Sequence, residues 1–250
     1  MTTLVLVHGI SESKHSWDPL LDPLASDPLT GERRRVLAVD LRGHGGATRT
    51  PPFDLATMAT DVLTEMSNAE IAPSDAVIIG HSLGGTVVTA MSSVATFRAV
   101  VNVDQPLHLA DFQAGLRQLE PMLRGDAISF AAAIAMVFDA MRGPLSDEQY
   151  QRLAELRRPE QVVVLGVWDP VLTLPIADLD AMVASMTRTI VSPYLSLHGI
   201  DPGQEYGGWL ASTITGATAE VWHNHGHYPH LVDPTRFVDR INALIDSTRG

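Results

Sequence analysis

Short runs of β-branched and leucine residues recur along the chain between longer amphipathic stretches. Leu4 to Val7, Val36 to Asp40, Ala76 to Ile79, Ala99 to Asp104, Tyr194 to His198 and Ala219 to Trp222 are rich in apolar residues. That is the pattern of parallel strands covered on both faces by crossover helices, so the chain reads as an α/β protein with about six mostly parallel strands. Each run ends at residues able to do chemistry: His8-Gly9, Asp40, Gly80-His81-Ser82, Asp104, His198-Gly199 and the stretch His223 to His227. In open α/β sheets, ligands bind beyond the strand C-termini.

The spacing is regular except between Asp104 and Tyr194, a gap of about 90 residues and too long for one crossover. Leu109 to Leu123, Ile128 to Met141 and Asp147 to Leu156 carry apolar residues at helical spacing, with Gly125, Gly143-Pro144 and Pro159 as breaks. Residues 107–190 are therefore expected to form a helical cap or lid over the strand ends. The core is expected to be 1–106 together with 191–250. Trp168, Phe130, Met136, Phe138 and Met141 are candidate walls of a substrate pocket in that cap.

Composition narrows the class. Of the 250 residues 45% are apolar and 18% charged, enough to bury a core. The formal net charge of −12 disfavours nucleic acid and anionic membranes as partners. With no cysteine there is no disulfide, thiolate metal site or cysteine nucleophile. The start, MTTLVLVHG, is unlike a signal peptide. The longest apolar run, Phe130 to Phe138, is far short of the ~20 residues that span a bilayer. The expectation is a cytoplasmic protein without a membrane partner; its oligomeric state is open.

In Gly80-His81-Ser82-Leu83-Gly84-Gly85, glycines flank Ser82 two residues away on each side, after an apolar strand and before an apolar helix. Missing Cβ atoms let a strand turn sharply into a helix and expose the serine oxygen at the helix N-terminus. Gly9 would let the first loop approach the serine, so that the amides of Ile10 and Leu83 could form an oxyanion hole; Gly9 and His81 are then candidate pocket residues. Asp40 and Arg42 are assigned to shaping a loop. Four histidines at 223, 225, 227 and 230 lack the further ligands a metal site needs, whereas a base near neutral pH needs one imidazole. His227, after Gly226, is the choice. His223 lies too near the strand, and His225 and His230 suit packing.

In these motifs and their order the chain resembles the α/β-hydrolase superfamily, with the cap inserted after strand 6 in the family's numbering, the strand that ends at Asp104. Only one strand precedes the first loop, so the family's antiparallel edge is expected to be missing. The resemblance implies a triad acid, and two positions compete. Most relatives carry it in a Gly-x-x-Asp turn after the seventh strand, which here reads Gly199-Ile200-Asp201, one residue short. Asp104, in Asp104-Gln105-Pro106, occupies the place used by haloalkane dehalogenases and zearalenone-type lactone hydrolases. The latter are also similar in the aromatic-proline pair after the histidine, here Tyr228-Pro229. Asp104 is favoured and Asp201 is the alternative.

The reaction implied is hydrolysis of a small carboxylic ester or lactone with an apolar part, through an acyl-enzyme on Ser82 and with no cofactor or metal. A cofactor-free perhydrolase or a receptor-like binding protein would use the same residues.

Overall fold

The N-terminal apolar run becomes a strand because both of its faces are covered. The computed structural model describes residues 2–248. Among them, β1 (Thr3–Val7), β2 (Arg35–Val39), β3 (Ala76–His81), β4 (Ala99–Val103), β5 (Tyr194–His198) and β6 (Thr218–Val221) form one sheet in the order β2-β1-β3-β4-β5-β6. All five pairings are parallel. No antiparallel edge strand precedes β1 within the described residues.

Alternate side chains sort into two cores. Val5, Val7, Ile78 and Val100 face one apolar cluster; Leu4, Leu6, Val77, Ile79, Val101 and Leu195 face the other. The second is closed by α1 (Asp18–Ala25) and by the C-terminal helix, whose Phe237, Ile241, Leu244 and Ile245 form one stripe at helical spacing. The first is closed by α2 (Leu55–Asn68) and α3 (Leu83–Ser92). α2 starts where Asp54 accepts a hydrogen bond from the Thr57 amide.

Between β4 and β5 lie five helices: α4 (Ala110–Leu123), α5 (Ala127–Met141), α6 (Asp147–Leu156), α7 (Gln161–Thr173) and α8 (Ile176–Thr187). The first three match the expected segments to within one residue. α6 opens with a reciprocal cap between Ser146 and Gln149. The sequence pattern does not single out α7 and α8. α8 packs on α3, so the end of the insertion returns to the layer flanking the sheet. After β5 come α9 (Tyr206–Thr213), then β6, α10 (Pro229–Val232) and α11 (Pro234–Ser247).

The insertion sits on loops that follow strand C-termini. The Arg158 amide donates to the Ser11 carbonyl after β1 at 2.8 Å. After β2, a Cβ on Gly43 would lie 2.7 Å from Val163. After β6, a Cβ on Gly143 would lie 2.8 Å from the Gly226 Cα. No single helix among the described residues is long and apolar enough to cross a membrane.

Candidate active site

The strand order reverses between β1 and β3, because the chain runs from β1 outward to β2 and then back across to β3. The loops after β1 and β3 therefore diverge and leave a crevice at their C-terminal ends. Ser82 stands there with φ 51° and ψ −120°, a conformation in which an L-residue is strained. The glycines make the turn possible. A Cβ on Gly80 would come within 2.0 Å of the Gly84 carbonyl oxygen, and one on Gly84 within 2.2 Å of the Val7 carbonyl oxygen. Ser82 keeps partial exposure while Gly80, His81, Leu83, Gly84 and Gly85 are buried. Amides in the first turn of a helix have no acceptor within it, so the α3 N-terminus around Leu83 faces outward with donors. Ile10 and Leu83 belong to one apolar cluster, which also holds Phe130, Phe138, Val163 and Trp168 of the insertion.

His227 is carried by a turn in which Asn224 and Gly226 both have positive φ. That turn lies so close to β5 that a Cβ on Gly199 would meet the Gly226 carbonyl oxygen at 2.0 Å. Consequently the His227 ring reaches Asp104: Nδ1 donates to Asp104 Oδ2 at 2.6 Å, both groups being buried. Asp104 Oδ1 accepts from the Gly199 amide at 2.7 Å and the Ile200 amide at 3.0 Å. Burial alone would raise the pKa of this carboxyl. The His227 hydrogen bond and charge, the Ile200 amide and the charge of His198 outweigh it and hold the pKa below the ordinary carboxylate range.

The short turn after β5 thus does not place its own acid on the histidine. Asp201 is exposed and accepts from the Gly203 amide of its own loop at 2.9 Å. Gly199 and Ile200 contribute amides to Asp104, while the Asp201 carboxylate turns back on its loop.

The other expected residues divide. Asp40 binds the amides of Lys14 and Gly46, and Arg42 binds Asp61 through Nε at 2.7 Å and Nη2 at 2.9 Å, so both shape loops as expected. The four C-terminal histidines disperse. His223 is exposed, His225 hydrogen-bonds to the His223 carbonyl, and His230 is buried between Trp17 and His81. Gly9 marks a point of convergence, since a Cβ there would lie 3.2 Å from His81 Nδ1, 3.3 Å from Ser82 Cβ and 3.4 Å from Glu12 Oε2. His81 is fully enclosed, 1% exposed against the rings of His227, Tyr228 and His230, and is part of the framework rather than an open wall. Its Nε2 donates to the His227 carbonyl at 2.8 Å. Trp168 is buried within the insertion, edge-on to Phe112 of α4.

Sequence reasoning passed over Glu12 and Arg157, and took Tyr228 only as a mark of resemblance. Glu12, Tyr228 and Arg157 are all buried; the Tyr228 hydroxyl donates to Glu12 Oε1 at 3.1 Å and accepts from Arg157 Nη2 at 2.9 Å. Burial alone would raise the Glu12 pKa. The imidazole of His81, whose Nδ1 lies 3.8 Å from Oε2, and the Arg157 and His8 charges reverse this and hold it well below the ordinary value.

Comparison with known proteins agrees with this fold. The model of the "Alpha/beta hydrolase family" matches residues 4–240. The chain is 32% identical over 143 residues to the "Magnesium-chelatase 30 kDa subunit" of Rhodobacter capsulatus, covering 56% of this chain and 47% of that protein. It is 33% identical over 95 residues to "Esterase YbfF" of Escherichia coli K12, covering 38% and 34%. The chain thus spans less than half the length of these two relatives. The solved structure of esterase RhEst1 from Rhodococcus sp. ECU1013 superposes with a TM-score of 0.70 at 24% identity, over 99% of this chain and 91% of that one.

Proposed function

Because the chain belongs to the α/β-hydrolase family, we propose that it hydrolyses small carboxylic esters or lactones through an acyl-enzyme on Ser82. The observation that carries this reading is a strained, partly exposed serine whose neighbour His81 packs on the ring of His227, which is itself hydrogen-bonded to buried Asp104. His227 takes the Ser82 proton as the oxygen attacks the carbonyl, and Asp104 holds the ring with Nδ1 protonated and stabilises the imidazolium. The tetrahedral oxyanion lies between the amides of Ile10 and Leu83. His227 then protonates the leaving alcohol and activates the water that releases the acid. No cofactor enters this scheme.

The helical insertion acts as a cap. Its apolar side chains share a cluster with Ile10 and Leu83, which favours a substrate with an apolar acyl or alcohol part. The names of the esterase relatives support the ester reading, and the placing of the acid after β4 supports a lactone among the substrates tried.

A fluorophosphonate probe should add one label per chain, at Ser82, and an ester and lactone panel should show turnover that Ser82→Ala abolishes. Labelling at another residue, or undiminished hydrolysis by Ser82→Ala, would defeat the proposal.

A further inference from the structure

Arg157 is the one guanidinium of the insertion that reaches the buried framework of the site. It follows α6, is 9% exposed, and lies 4.0 Å above the Phe138 ring. Its neighbour Arg158 donates its amide to the Ser11 carbonyl, so this stretch is anchored on the loop after β1. From there Arg157 Nη2 donates to the Tyr228 hydroxyl, and that hydroxyl donates to Glu12 Oε1. Each end of this chain of hydrogen bonds belongs to a different part of the site. Tyr228 is bonded covalently to His227, and Glu12 lies two residues beyond Ile10. His81, next to Ser82, is held from both sides, with Nε2 on the His227 carbonyl and Nδ1 facing Glu12 Oε2.

Charge explains why the arrangement needs the arginine. Glu12 is buried and ionised, and a buried carboxylate without a cation is strongly unfavourable. Around it stand His81, His8, Tyr228 and Arg157, and His44 and His230 also feel its charge. Of these, Arg157 alone is always cationic, and it comes from the insertion rather than the sheet.

We propose that Arg157 is a positioning residue: seated with the insertion, it fixes the His227 loop and the Ile10 loop relative to Ser82 through Tyr228 and Glu12. This rests on the hydrolase reading above and adds that the reactive geometry is complete only when the insertion is docked. The three segments lie far apart in sequence, so no local structure could hold them in register by itself.

The test compares Arg157→Met, which keeps the stem over Phe138, with Arg157→Lys and with Tyr228→Phe, which removes one oxygen. Arg157→Met and Tyr228→Phe should each lower kcat on a small ester, and the rate of Ser82 phosphonylation, by about 10- to 10²-fold. KM should change little. The double variant should be no worse than the worse single, because both break one path, and Arg157→Lys should recover part of the loss. A loss confined to KM, additive losses, or wild-type rates in folded Arg157→Met would overturn the proposal.

A second readout needs no substrate. Ring resonances of His227 and His81, followed by NMR, should shift alike in Arg157→Met and Tyr228→Phe; unmoved resonances would overturn the proposal. A wild-type protein that shows this coupling yet neither labels at Ser82 nor turns over esters would defeat the hydrolase reading alone.

Discussion

At the scale of single residues, the proposed chemistry depends on two strained positions, Ser82 at φ 51° and Asp104 at φ 52°. Asparagine tolerates the left-handed region and can still accept the Gly199 and Ile200 amides, so Asp104→Asn should fold. Its side chain cannot hold the His227 tautomer by charge, and kcat should fall by about 10⁴-fold. Asp201→Asn, by contrast, should keep most of its turnover, since that carboxylate binds only its own loop. Steady-state kinetics on both variants checks the ranking, and the reverse order would return the acid to the turn after β5. The placing of Ser82, Asp104 and His227 beyond strand C-termini was legible because glycine or proline stands close to each. Glu12, Tyr228 and Arg157 were not, because their meeting joins segments up to 216 residues apart and leaves no local period.

At the scale of elements, the six strands were legible since burial on both faces demands apolar runs, and the structure moves their ends by at most two residues. α7 escaped because its Val162-Val163-Val164 run favours strand while Gly166 and Pro170 argue against helix. Tertiary contact decides the matter: Gly166 leaves room for Phe53, whose Cβ a side chain there would meet at 2.9 Å. Trp168 holds α7 to α4 through Phe112. Trp168→Ala should cost about 3–5 kcal/mol in urea unfolding by leaving a cavity. It should also change kcat/KM for bulky acyl esters more than for acetate esters; equal changes would remove Trp168 from the surroundings of the substrate.

For the whole molecule, the buried histidines set the response to acid. Burial, first among the causes, lowers His44 and His198 to about 4 and also depresses His8 and His230. An unfolded chain binds these protons near pH 6.5, whereas the folded one resists until about pH 4 for His44 and His198. The unfolded state therefore holds more protons in that window, and stability is full above pH 6.5 and falls as pH drops. Each of these two shifts corresponds to up to about 3 kcal/mol by pH 4. Glu12 and Asp104, whose pKa values are depressed, give up their contributions only below the ordinary carboxylate range. Urea midpoints at pH 7.5, 6 and 5 should decline steadily, and His44→Gln should flatten the decline; a constant midpoint across that range would contradict it.

The hold on Asp104 also has a bearing on how such a chain can change over time. Asp104 stands where the chain leaves the sheet for the insertion, and it is gripped by the amides of Gly199 and Ile200, just past the end of β5, the strand along which the chain recrosses the sheet. Because β4 and β5 are parallel neighbours with Val103 paired to Leu197, the C-terminal ends of the two strands are held side by side whatever lies between them in sequence. Closing a longer excursion is cheap, about 0.6 kcal/mol for each doubling of length. The segment proposed to surround the substrate can therefore be lengthened, shortened or exchanged as a module, while the carboxylate at its base stays in place, provided each replacement brings its own cation to Glu12.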